Sequence, residues 1–342
     1  MKNSINKKLL FIGGALLALS VASMLYLMLL FTFSAKDDTR FVYITDDDNI
    51  DSVYAKLDTI ASSVPMAGFK LLSSVSGYSS KIRSGRYAVK TDESTFTVWR
   101  RMKNGLQEPV SLTIPESRTM DRLAGALSHK LMLDSAKVAQ SLADQTFCSA
   151  YGYDTCTIAA LFVPNTYDVY WNISLEKFME RMVKEHDHFW NKERTEKAES
   201  LGLTENEVAT VASIIDEETA NNAEKPMIAG MYCNRLKQRM PLQADPTVKF
   251  ALKDFALRRI YHNMLTMDSP YNTYKNVGLP PGPIKIASIA GIDAVLNQVK
   301  HDYLYMCAKE DFSGTHNFAV TYQEHLRNAA KYSKALNERG IK

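Results

Sequence analysis

Residues 211–220 read VASIIDEETA, and how this decapeptide folds decides the organisation of the second half of the chain. Val211, Ala212, Ile214 and Ile215 have the spacing of an inward-facing helix surface. Asp216, Glu217 and Glu218 then follow without a break. Upstream, Thr204 with Glu207 three residues later is a capping-box pattern, which fixes the register and gives Glu207 a structural role. Taking about 100° per residue from Val211, the apolar arc runs from about 300° through zero to about 100°. Asp216 falls at its edge at about 140°, Glu217 outside it at about 240°, and Glu218 inside it at about 340°. Glu218 is therefore expected to be the buried acid. Burial disfavours the ionised carboxylate and raises its pKa, as a group that donates a proton to a leaving atom requires. The competing reading is a structural Glu satisfied by an Arg or a backbone amide.

Working outward, a long helix is expected over about 173–200, with Leu175, Phe178, Met179, Met182, Val183, Phe189 and Trp190 as a core stripe. Residues 132–170 read as irregular. The loop SPYNTYKNVGLPPGPIK (269–285) combines Pro, Gly, Asn and Tyr, the composition of a long ordered loop where function concentrates. A helix at about 288–299, a strand YLYMCA (303–308) and a final helix from about 321 close the chain. Nearer the N-terminus, TRFVYI (39–44) reads as a strand and DDDNIDSVYAKLDTIASSV as a capped helix. SGRYAVKTDESTFTVWRRMKNG (84–105) and EPVSLTIPESRTMDRLAGALSHKL (108–131) each read as strand, turn and helix. Residues 39–131 form a small α+β region, and 132–342 a larger α+β domain.

Residues 9–33 are 25 residues without a charge, longer than a bilayer's hydrocarbon core of ~30 Å requires. A cleaved signal peptide has an apolar core of only about 7–15 residues. The reading is one transmembrane helix, with residues 1–8 cytoplasmic because Lys2, Lys7 and Lys8 precede it. The body from about residue 36 is then outside the inner membrane. Those three lysines account for the net charge of +3, and the remainder balances 38 basic against 38 acidic residues. With 46% apolar and 23% charged residues, the composition is that of a folded protein, and the neutral body argues against a nucleic-acid partner. Of four cysteines in an oxidising space, Cys148 and Cys156 are close enough to bridge a small loop, while Cys233 and Cys307 read as buried thiols. No cysteine or histidine spacing suits a metal, and no cofactor is expected. His186 and His188, two apart on a helix, point to different faces and read as solvated.

Downstream of the three acids stand KPMIAGMYCNRLKQRMPLQADPTV (225–248), YNTY (271–274), GLPPGPI (278–284) and HNF (316–318), with VPNTYDVYW at 163–171. In this order they resemble the MltG (YceG-like) family of endolytic lytic transglycosylases, which cut peptidoglycan glycan strands. The resemblance is strong over about 160–330. It is weaker over 39–131, where the family has a LysM-like region that SGRYAV and TIPES fit loosely. The chain departs from the family pattern at Asp216, where the family has Glu, at Ser117, where it has Gly, and after Gly278–Ile284, where its Asn-Pro-Gly is missing. The family's catalytic position falls on Glu218, the residue that the helical wheel selects.

The resemblance implies a reaction that uses one carboxylate. Protonated Glu218 donates to the oxygen between MurNAc and GlcNAc, and its carboxylate then takes the proton of the C6 hydroxyl, which closes a 1,6-anhydro ring. Ordinary glycosidases need two carboxylates. Asn234, Gln243, Asp245, Tyr271, Asn272, Tyr274 and His316 are the candidate substrate-binding residues. Asp245–Pro246 reads first as an N-cap followed by Pro at the first helical position. Arg235 is a candidate partner for Asp216 or Glu217. Two other readings remain: a muramidase in which Asp216 or Asp245 activates water, and a non-catalytic peptidoglycan-binding scaffold. Expected partners are glycan strands and membrane-bound peptidoglycan synthases.

Overall fold

The computed structural model describes residues 2–34, 38–257 and 260–340, and the side chains from residue 11. Met1, Lys36 and residues 341–342 of the expected segments lie outside the described residues. Helix α1 (Lys2–Leu29) contains an apolar span, Phe11–Leu29, that is unburied and long enough to cross a membrane. The chain divides into two compact units, Met1–Ser111 with Lys130–Met132 and Asp168–Ile173, and the remainder.

The first unit carries β1 (Arg40–Ile44), α2 (Ile50–Asp58), α3 (Ser63–Val75), β2 (Gly85–Val89) and α4 (Thr95–Asn104). Strands β1 and β2 pair antiparallel, with Val42 opposite Tyr87. Val42, Ile44, Val53, Leu57, Phe69, Tyr87, Val98 and Met102 close one core. Asn49 caps α2, its side chain accepting from the amides of Asp51 and Ser52. The helix expected to run on through residue 64 instead stops at Asp58. The amides of Ile60 and Ala61 turn back onto the Leu57 carbonyl, and α3 begins afresh. Gly105 ends α4 in the left-handed region, at φ 69°, where glycine carries no Cβ penalty. At Gly68 the backbones of α1 and α3 touch: a Cβ there would lie 1.9 Å from the Met28 carbonyl oxygen. Only a few residues on, Phe33 is fully buried in the same core, and Ser34 bridges to Ala61.

Next come β3 (Val110–Thr113), α5 (Met120–Lys130), α6 (Ser135–Leu142), α7 (Gln145–Ser149) and β4 (Thr166–Val169), which pairs with β3. Segment 132–170 is thus more regular than expected. Its helices are only eight and five residues long, too short for periodicity to reveal, although Asp134 and Asp144 cap them. The single helix expected over 173–200 is two, α8 (Leu175–Phe189) and α9 (Lys192–Leu201). Trp190 leaves the helical region with ψ 63°, and Asn191 restarts the chain by accepting from the Arg194 amide. His186 is buried, not solvated. It is bonded to the Tyr153 hydroxyl at 3.1 Å, and burial pushes its pKa down. His188 is exposed.

The second unit centres on α10 (Glu205–Glu218), which opens with the expected capping box of Thr204 and Glu207. Around it stand α11 (Lys225–Lys237), α12 (Asp245–Leu252) and α13 (Ile289–Leu296), then β5 (Tyr305–Ala308), β6 (His316–Ala319) and α14 (Tyr322–Glu338). Val208, Val211, Ala212, Ile214 and Ile215 pack with Ile228 and Ala229 of α11 and Ile292 and Val295 of α13. At roughly 1.5–3 kcal/mol per fully buried Val or Ile, this packing outweighs the modest helix propensity of β-branched residues. Strands β5 and β6 are antiparallel, with Ala308 opposite His316. All four cysteines are free thiols: Cys148 is buried against the Leu142 carbonyl and is not joined to Cys156. Cys233 is buried and Cys307 half-buried.

Candidate active site

The three consecutive acids go to three different environments. Asp216, expected at the edge of the apolar arc, has a side chain only 1% exposed. It accepts from Lys225 Nζ at 2.7 Å, the Ser288 amide at 2.6 Å and the Ser288 hydroxyl at 2.7 Å. Ser288 is the N-cap of α13, so Asp216 fastens α13 and the start of α11 to α10. Gly291 is required beside it, because a Cβ there would lie 2.6 Å from Asp216 Oδ1. Glu217 faces away from that cluster and pairs with Arg118, both carboxylate oxygens 3.0 Å from Nε, with Lys285 at 3.7 Å. Arg235 holds neither acid, contrary to expectation.

Glu218, the last residue of α10, is half-buried at the wall of a cavity of about 230 Å³. The Tyr232 hydroxyl donates to its Oε1 at 2.7 Å. Among the described residues Oε2 accepts no hydrogen bond and is not sealed from the cavity. Burial is the largest influence on this carboxyl and raises its pKa. The Tyr232 hydrogen bond opposes that, nearby Asp245 adds to the rise, and His316 acts against it. The net direction is upward, which favours a proton on the oxygen that faces the cavity.

The cavity that Glu218 lines is also built on Arg235 of α11. This buried guanidinium donates to the carbonyls of Leu304 at 2.6 Å, Pro241 at 3.0 Å and Leu242 at 2.9 Å, and to the Gln243 side chain at 3.2 Å. It thereby shapes the segment that presents Gln243, whose φ of 52° is left-handed. Such a conformation in a non-glycine residue costs of order 1–3 kcal/mol and persists where surroundings over-determine it. Besides Arg235, the Thr273 carbonyl holds Gln243 by its amide, at 3.1 Å. Asp245 is not the N-cap of α12: that position is Ala244, with no side-chain cap. The Asp245 carboxylate instead accepts from the Tyr274 hydroxyl at 2.6 Å. Burial, together with that bond, pushes the Tyr274 hydroxyl's pKa up.

Of the expected site residues, Glu218, Gln243, Asp245, Tyr274 and His316 line this one cavity. Three do not. Asn234 spends its amide on the carbonyls of His301 and Tyr303. Asn272, fully buried, ties Leu265 and Met267 to Tyr274. Tyr271 packs its ring at a tilt of 50° against Phe250, centroids 4.7 Å apart, and lines a separate pocket with Cys156. These three hold the loops in place. Tyr232 and Glu224 were missed. Tyr232 reads as part of an apolar helical run, and nothing local in the sequence shows that it meets an acid fourteen residues earlier. Glu224 accepts the His316 amide at 2.6 Å and approaches His316 Nδ1 at 3.0 Å.

A model of the YceG-like family matches residues 42–331. An endolytic murein transglycosylase of Bacillus subtilis is 30% identical over 306 residues, covering 85% of this chain and 83% of that protein. One from Streptococcus pneumoniae is 29% identical and covers 73% of this chain and 51% of its own. A crystal structure of a YceG-like protein from Listeria monocytogenes superposes with a TM-score of 0.55 at 27% identity, over 85% of this chain and 99% of that one.

Proposed function

The chain belongs to the YceG-like family, and on that premise we propose that it is an endolytic peptidoglycan lytic transglycosylase. It cleaves the bond between MurNAc and GlcNAc and leaves 1,6-anhydroMurNAc ends. The observation that carries this is Glu218: one carboxylate at the wall of a cavity, raised in pKa, with one oxygen bonded to Tyr232 and the other open. The open oxygen protonates the glycosidic oxygen as C1–O4 breaks. The C6 hydroxyl of the same sugar then attacks C1, so no water is consumed. Gln243, Asp245, Tyr274 and His316 surround the sugar. Of the two acids that hydrolysis would call on, Asp216 is withdrawn into its cluster with Lys225 and Ser288, while Asp245 lines the cavity and accepts from Tyr274, so the ends of the product decide between the two reactions.

The α1 helix is the single membrane anchor in this reading, with the chain beyond it extracytoplasmic. The first unit, two paired strands with α2 and α3 on one core, serves as the LysM-like glycan-holding module. Placement at the membrane suits termination of nascent strands beside peptidoglycan synthases. Mass analysis of digested glycan decides the reaction: anhydro ends from wild type, absent with Glu218→Gln, are expected, and reducing MurNAc ends would mean hydrolysis. Recovery of no synthase from solubilised membranes would remove the partner assignment.

A further inference from the structure

A second cavity of the same unit encloses about 220 Å³, and its residues have no part in the chemistry described above. Phe250 near the end of α12, Phe255, Tyr271 and Pro283 give it an aromatic and apolar wall. Gly282 lets that wall close, since a Cβ there would lie 2.2 Å from the Cys156 carbonyl oxygen. We infer that this cavity receives the peptide side chain of the glycan strand and holds it by its carboxylates. This rests on the peptidoglycan substrate proposed above and adds a preference for strands that still carry their peptides.

The charges lining it are unequal: Arg118, Lys253 and Lys285 against the exposed Asp121. Arg118 gives its Nε and Nη2 edge to Glu217 and lies 5.5 Å from the centre of the Phe255 ring. Lys285, its side chain only 9% exposed, donates to Glu116 at 2.8 Å and stands 3.7 Å from Glu217. An ammonium has three donors, so this buried cation keeps capacity for a further acceptor. Lys253 makes no ion pair or side-chain hydrogen bond among the described residues. It closes α12 with a φ of 56°, in the left-handed region, where glycine is ordinarily favoured. Strain of this kind gathers at functional sites. A lysine that carries it with its charge unanswered, beside a buried ammonium, makes a seat for an anion.

The same elements support both cavities. Glu217, which holds Arg118, is the neighbour of Glu218, and Tyr271 and Tyr274 belong to one loop. Phe250 follows Asp245 by five residues on α12, about 8 Å at the helical rise. An extended peptide spans roughly 3.3–3.6 Å per residue. The second or third residue of a peptide hung from the sugar beside Glu218 therefore reaches the second cavity. Such peptides offer free carboxylates, which suit Lys253 and Lys285, and alanine methyls, which suit the aromatic wall. The lactyl carboxylate left when the peptide is removed stays on the sugar and falls short.

The test is the affinity of Glu218→Gln, full-length in detergent, for three forms of one purified glycan strand. These carry intact peptides, no peptides beyond the lactyl group, or intact peptides with amidated carboxylates. Intact strands should bind about tenfold more tightly than the other two, the worth of one hydrogen bond to a charged group. Adding Lys253→Gly should bring that ratio close to one without lowering the Tm, because glycine suits the left-handed position. Adding Lys253→Glu should turn the preference toward the stripped strand. A ratio near one in Glu218→Gln alone, or a ratio that survives both Lys253 changes, overturns the assignment. So does equal binding of intact and amidated strands. If Lys253→Glu fails to fold, Lys253→Gly decides. The parent reading is scored on the ends that wild type produces. Reducing ends, or no cleavage, overturn the reaction and leave the ratio standing as a binding result, whereas anhydro ends with a ratio near one overturn only the peptide site.

Discussion

Tyr232 donates its hydroxyl to Glu218 Oε1 at 2.7 Å, joining the middle of α11 to the final residue of α10. The bond orients the carboxyl and also tempers it. It is the largest of the influences that lower the Glu218 pKa, set against the dominant effect of burial. Tyr232→Phe removes that restraint, so the pKa of Glu218 moves further up. The reaction needs the protonated acid, and activity is lost as pH rises through that pKa. The alkaline limb of the pH–rate profile should therefore move to higher pH in Tyr232→Phe, with a lower maximum because the carboxyl is less well oriented. A limb that stayed in place or moved down would show that the hydroxyl does not act on Glu218.

Glu218 also costs the fold stability. Its folded-state pKa lies above the ordinary value of 4.5. The stability linked to it is thus fully present below about 4.5 and is lost as pH rises through the folded pKa. Glu218→Gln keeps the acceptor for Tyr232 and cannot ionise. It should match wild type in Tm at pH 4 and exceed it at neutral pH, while abolishing cleavage. Thermal unfolding at the two pH values measures the difference. An equal Tm at both would contradict the raised pKa.

Asp216 predicts the opposite. Removing one partner of a buried pair leaves the other charge uncompensated, at about 3–5 kcal/mol. Asp216→Ala strands Lys225 and uncaps the Ser288 turn, so that loss is expected in denaturant unfolding, with Asp216→Asn less severe. Gly291→Ala should also destabilise, since its Cβ meets the same carboxylate.

Arg235→Lys tests another part of the cavity wall. A lysine keeps the charge but lacks the planar fork that serves four acceptors. Each buried carbonyl left unpaired costs roughly 1–3 kcal/mol. Raised KM together with a lowered Tm is expected. Unchanged glycan affinity would remove Gln243 from the substrate-contacting set.

What could be read from the sequence followed the range of the forces involved. The capping box of α10 and Gly105 as a helix end are set within a turn or two of chain, and each is legible in spacing alone, whereas the wheel that made Glu218 the buried acid missed the deeper enclosure of Asp216, which Lys225 and Ser288 supply from other helices. The break at Trp190, the burial of His186 and the short helices of 132–170 depend on distant packing that leaves no periodic mark. At the site, residue types with a local signature came through, but their assignments separated only in three dimensions. Asp245 looked like a cap and faces the cavity. Asn272 looked like a ligand and is spent on its own loop. Tyr232 and Glu224 act across helix and strand boundaries, and no local pattern announces them.

The approach of Gly68 to Met28 and the burial of Phe33 build the end of α1 into the core that β1, β2 and α3 share. A side chain at residue 68 could be housed only by prising the end of α1 away from α3.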